Sequence, residues 1–152
     1  MKLSTLVVGL CVLASIGIAS AQEHYTEGPV WSCSSYRTKQ GHTDDYLLYL
    51  RTHYLATTAE SKKQGLTLDS KIFMQQPASP ADWDIMICTL FPSYGKAMDY
   101  NAADEEKSKA IQGKHWGTMD EKKQDEMAAQ RYAFRDLVGT KIVREVMLKP
   151  AP

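Results

Sequence analysis

Residues 65–100 read GLTLDSKIFMQQPASPADWDIMICTLFPSYGKAMDY, and this stretch decides the fold. Leu66–Gln75 alternates loosely and is β-prone around Ile72 and Phe73. Pro77 and Pro80 stop it, because a proline cannot donate to a strand ladder. Asp82–Phe91 follows as a second strand. On it Ile85, Ile87 and Phe91 face one way, and Met86, Cys88 and Leu90 the other. A strand that is apolar on both sides is covered on both sides. Helices can cover one face of such a sheet, and a second body must cover the other.

Working outward, Val30–Thr38 (VWSCSSYRT) has the aromatic and hydroxyl composition of a first strand, after a polar lead-in at residues 22–28. Thr43 reads as a helix N-cap, with Asp44 and Asp45 at the positive end of the helix dipole. Tyr46, Leu47, Leu50 and Tyr54 repeat at helical spacing, Lys62 and Lys63 occupy the last turn, and Gly65 follows as a stop. Beyond the central stretch, short helices are expected at Tyr94–Tyr100 and, capped by Asn101, at Ala102–Gln112. Gly113 and Gly117 then bracket a turn carrying His115 and Trp116. Thr118–Glu121 has the form of a capping box, and the helix it opens is expected to run to Val138 with Gly139 closing it. Thr140–Leu148 is the last strand, and residues 150–152 form a tail.

The order strand, helix, strand, strand, helices, strand is that of an α+β, ferredoxin-like split βαβ fold. Right-handed crossovers give the strand order 4-1-3-2 with the helices on one face. The other face is left apolar, which marks an interface, so a homodimer is expected, its two sheets packed face to face as a barrel.

The N-terminus specifies export. Lys2 is a short positive region, Leu6–Ile18 is apolar, and Ala19-Ser20-Ala21 has the small-x-small cleavage pattern. The apolar run is too short for a spanning helix. Residues 1–21 are therefore read as a signal peptide, residues 29–149 as one domain, and the destination as periplasmic or secreted, with no membrane association after cleavage. The whole chain of 152 residues carries 18 basic and 18 acidic side chains. Cleavage takes away Lys2 and no acid, leaving 17 against 18. That balance excludes an electrostatic nucleic-acid surface and a polybasic membrane patch.

From GPVW at 28–31, DDYLLYLRTHYL at 44–55, KKQGLTLDSKIF at 62–73, DWDI at 82–85, TLFPSYGKAMDY at 89–100 and the terminal GTKIVREVMLKP, the chain resembles the dimeric α/β-barrel superfamily. More narrowly it is similar to small exported bacterial proteins of that class whose function is not established. The wider superfamily includes quinol-type and haem-degrading monooxygenases and proteins that only bind small molecules. The resemblance implies fold and dimerisation. It carries no catalytic set onto particular residues.

The chemistry-bearing residues each have a plain structural role beside a functional one. His53 lies near the apolar stripe of the first helix, where it either edges the packing face or meets a pocket in which it transfers protons or ligates haem iron. His115, beside Trp116, belongs either to a lid or to a pinned surface turn. Of the eight Tyr and three Trp residues, Trp31, Tyr36, Tyr46, Tyr49, Tyr54, Trp83 and Tyr94 fall on the sheet or against it. They serve core and dimer packing, or a pocket for an aromatic, quinone-like or haem-like ligand. Asp82 and Asp84 flank Trp83 and suit loop and strand capping better than paired acid–base work. Arg144 and Glu145 interrupt the last strand and are expected at a dimer contact. No complete metal or catalytic motif is present; GxGxxG, P-loop, HExxH and GxSxG are all missing.

Cleavage leaves two cysteines, Cys33 and Cys88, in no redox or zinc spacing. If Val30 lies opposite Phe91 in antiparallel neighbours, Cys33 lies opposite Cys88 and a cross-strand disulfide is possible. A slip of one residue puts them on opposite faces. Three functions stay open on these readings: a small-molecule binding protein, a cofactor-independent or haem-linked monooxygenase, and a structural or stress homodimer without ligand.

Overall fold

The computed structural model describes residues 24–151; the expected signal peptide lies outside them. The elements are β1 (Tyr25–Thr38), α1 (Thr43–Tyr49), a π-helical turn (Leu50–Tyr54), α2 (Leu55–Lys63), β2 (Asp69–Met74), β3 (Ile85–Phe91), α3 (Tyr94–Met98), α4 (Ala102–Trp116), α5 (Glu121–Ala128), a 3-10 turn (Ala129–Ala133) and β4 (Arg135–Leu148). The four strands form one sheet in the order β2-β3-β1-β4, and every neighbouring pair is antiparallel. This is the expected order, read from the other edge.

Val30 pairs with Phe91 and Cys33 with Cys88. Cys33 and Cys88 are joined by a disulfide. Because side chains alternate along a strand, the register sorts the residues into two faces. Ser32, Ser34 and Tyr36 share one with Ile87, Thr89 and Phe91. Trp31 and Cys33 share the other with Met86, Cys88 and Leu90, joined there by Phe73 of β2 and Val143 of β4 through their ladder partners Met86 and Trp31. Phe73 and Val143 are 43% and 47% exposed.

The helical layer packs on the first face. Tyr46 and Leu50 are buried against Ile85, with Leu47, Tyr49, Tyr54, Ile72, Ile87 and Phe134 around them. Each fully buried side chain of this size contributes about 1.5–3 kcal/mol of transfer free energy. The expected helix 43–63 is present with an interruption, the π turn, and its N-cap is His42 rather than Thr43. Gly65 has φ +73°, a left-handed conformation that a side chain disfavours, and so stops α2 as expected.

Several boundaries differ from expectation for physical reasons. The residues expected as a lead-in are strand from Tyr25 onward, because the long β4 supplies partners as far as Leu148. Gly28 and Pro29 together face Glu145, forming a bulge that tolerates a residue without an N–H. Beyond β3, then, β1 and β4 continue as a two-stranded ribbon. Asp82 and Asp84 precede β3 rather than lying in it. Helix α4 runs through Gly113, since one glycine costs a helix only about 1 kcal/mol, so His115 and Trp116 sit on its last turn and not in a bracketed loop. The left-handed Gly117 (φ +68°) ends it. Helix α5 is capped by Asp120 and stops at Ala128. The expected helix to Val138 is replaced by β4, which starts at Arg135. Gly139 does not close a helix. It pairs with Ser35 beside a second bulge, where Val138 is the extra residue.

Candidate functional site

Between the helical layer and the first sheet face lies a cavity of about 380 Å³. Its floor is Ser32, Ser34 and Tyr36 of β1 with Ile87, Thr89 and Phe91 of β3. Its walls come from Tyr46 and Tyr49 of α1, His53 and Tyr54 of the π turn, His115 and Trp116 of α4, and Arg131 and Arg135. The floor is hydroxyl-rich because β1 spends alternate positions on serines, which leave open space where larger side chains would have filled it.

The two histidines meet here. His53 Nδ1 and His115 Nε2 lie 2.9 Å apart in a hydrogen bond, so one ring donates N–H and the other accepts. The His53 ring stacks on Trp116 with centroids 4.6 Å apart, and Tyr49 lies 4.7 Å away. Burial, reinforced by the neighbouring His115, pulls the His53 imidazole below its usual pKa; both effects disfavour a second positive charge. The π turn that carries His53 is a geometry frequent at functional sites.

Arg135 also lines the cavity. Its guanidinium sits 3.5 Å from the Tyr36 ring centroid and 5.1 Å from that of Tyr46. Tyr36 and Tyr46 meet edge to face at 6.1 Å. Burial raises the Tyr46 phenol well above its ordinary pKa, with Arg135 opposing the rise, so Tyr46 is neutral across physiological pH.

Of the residues singled out in the sequence, the cavity brings together Tyr36, Tyr46, His53 and His115. It does not include Trp31, Trp83 or Tyr94. Trp31 lies on the opposite sheet face because it is one residue out of phase with Ser32; its Nε1 donates to Glu145 and Lys71 lies over its ring. Trp83 stands in the loop before β3, where its carbonyl accepts from Gln75. Tyr94 lies under the guanidinium of Arg144, which also pairs with Glu27. Arg144 and Glu145 are thus both engaged within the chain. Asp82 accepts from the amides of Ala78 and Trp83 and from Gln75. Asp84 accepts from the Thr38 amide at 2.9 Å and from its hydroxyl. Both carboxylates hold backbone in place. His24 and His42 are exposed and outside the cavity; His42 bonds Asp45.

Tyr49 and Tyr54, also among the aromatics placed against the sheet, line the cavity as well; sequence reading missed Trp116 as a wall residue, Arg131 and Arg135. The arginines were hidden by the helix expected across them. Among the described residues, no group of three or more His, Cys, Asp or Glu side chains is placed to hold a metal ion, and no helix is long and apolar enough to cross a membrane.

Fold and site together define an α+β protein with a four-stranded antiparallel sheet and an open-mouthed cavity between that sheet and its helices. No protein-family model and no curated protein matches the chain. A solved structure to which it is similar is a dimeric protein of unknown function and ferredoxin-like fold from Bacteroides fragilis NCTC 9343, at 10% identity over 81% of this chain and 100% of that one, with a TM-score of 0.43. The strand order and register define the fold independently of that likeness.

Proposed function

We propose that this is an exported protein that binds a small aromatic, quinone-like or haem-like molecule in the cavity between sheet and helices. The observation that carries the reading is the cavity itself. Its 380 Å³ falls in the range of small-molecule sites, about 300–1,000 Å³, and its wall gathers tyrosines, Trp116 and two histidines rather than aliphatic packing. The test is mass spectrometry of the denatured protein isolated from its native host, with thermal shift against a panel of quinones and aromatic acids. A co-purifying organic molecule or a saturable shift supports the reading; neither, in protein that is folded, overturns it.

The surrounding architecture is proposed as a ferredoxin-like split βαβ subunit that pairs with a second copy through the face bearing Trp31, Phe73, Met86, Leu90 and Val143. Sedimentation equilibrium reads this directly: a monomer across the micromolar range defeats it. A monooxygenase reading is favoured by one feature, the His53–His115 pair, which holds a neutral imidazole within the cavity as a proton acceptor. Oxygen uptake with a quinol, lost in His53→Ala, supports an enzyme. A Soret band in the purified protein, lost in the same variant, supports a haem-linked one.

A further inference from the structure

We infer that the cavity takes an anion, specifically a one- or two-ring aromatic carboxylate whose carboxylate is held by Arg135 and Arg131. This rests on the binding function proposed above and adds the charge and chemical class of the ligand.

The charge balance of the wall is one-sided. It contains two guanidiniums and two imidazoles and not one Asp or Glu. Arg135 is 8% exposed, and its Nε is buried with no hydrogen-bond partner. The Nε of Arg131 is in the same state; its side-chain hydrogen bonds go to the phenols of Tyr132, from Nη2 at 3.2 Å, and of Tyr49, and neither is a carboxylate. Among the described residues, neither arginine forms an ion pair. Asp84 bonds Thr38, the ladder partner of Arg135, and has committed its oxygens there.

Charged side chains are almost never this deeply buried without a partner. The ring of Tyr36 offsets part of the Arg135 charge, but a π face does not satisfy a fork of five N–H donors. A carboxylate does, in plane and with two oxygens. The rest of the wall states the body of the ligand: Tyr36, Tyr46, Tyr49 and Trp116 offer ring faces and edges to an aromatic framework. Phosphate is the less suitable anion. Phosphate sites recruit backbone amides at a helix N-terminus, whereas α4 contributes only its last turns to this wall and α5 only its last residue.

Isothermal titration of the exported chain with 2-naphthoate, 2-naphthamide and 2-naphthyl phosphate separates the possibilities. The expected result is that naphthoate binds at least about tenfold tighter than the isosteric amide, as hydrogen bonds to a charged group require. Arg135→Gln should bring naphthoate to the level of the amide while leaving the amide unchanged, and Arg131→Gln should produce a smaller loss of the same kind. Equal affinities of acid and amide for the wild-type protein overturn the anion inference and leave the binding function standing. Absence of binding by all three overturns both. A phosphate bound more tightly than the carboxylate overturns the choice of carboxylate. The wild-type comparison does not depend on whether either arginine variant folds, which near-ultraviolet circular dichroism reports.

Discussion

The two faces of this sheet are built from the same strands and solve opposite problems. On one, Ser32, Ser34 and Thr89 leave room beneath the helices, and a cavity with unpaired positive charge results. On the other, the Cys33–Cys88 bond ties the two central strands together and Trp31 closes over them through Glu145 and Lys71. The buried core lies at the Tyr46–Leu50–Ile85 end of the first face, and the second face adds the covalent tie. A hollow site is tolerated because its floor is cross-linked from behind.

The sharpest way to break this contrast is to remove the tie. Closing a loop of 55 residues restrains the unfolded chain by about 4 kcal/mol in the loop-entropy treatment. Cys33→Ala with Cys88→Ala should therefore lower urea-measured stability by about that amount while the folded fraction keeps its ligand affinity. A loss of less than about 1 kcal/mol would mean that the tie contributes little. Next comes Ile85→Ala, at the filled end of the cavity face, with an expected loss of about 3 kcal/mol from lost burial and a new void, read in the same titration. Asp84→Asn removes charge from the hydrogen bonds that hold Thr38; it should cost about 1–2 kcal/mol, and an unchanged midpoint would show that the loop does not anchor β1.

The smallest effect is also the most specific to the cavity. Folded His53 binds its proton less readily than an unfolded imidazole, whose pKa is near 6.5. Unfolding then takes up a proton, so stability should decline as pH falls from about 6.5 toward the folded value and level off below it. His53→Gln should remove that slope. Urea midpoints between pH 7 and 5 check it, and an unchanged slope in the variant assigns it to another group.

Much of this was legible in the sequence where local signals and register agreed. The helix after Thr43 and the Gly65 stop follow from short-range chemistry; the Val30–Phe91 alignment was a condition that the strand register meets, and Cys33 falls opposite Cys88 with it. The region 129–140 was not legible. Met127, Arg131, Phe134 and Val138 repeat at helical spacing, and Gly139 looks like a helix stop, yet pairing with β1 draws the chain into a strand at Arg135. Ladder partners 97 residues away in sequence, Thr38 for Arg135, leave no local trace, which is why Arg135 escaped notice. Tyr36, Tyr46, His53 and His115 were visible as candidates, but that they share a cavity which Trp31 does not reach depends on the phase of β1, set by its neighbours.

The β1–β4 ribbon beyond the end of β3 has a consequence in time rather than in energy. Tyr25–Glu27 and Val146–Leu148 pair only with each other, and Leu148 is 80% exposed. A lone two-stranded ribbon is marginal in water, so this end should open and close far more often than the cross-linked centre. Amide hydrogens there should exchange early, those of Ser32–Ser34 last, and the gradient along one strand would record where the sheet stops being shared by three strands and becomes a pair.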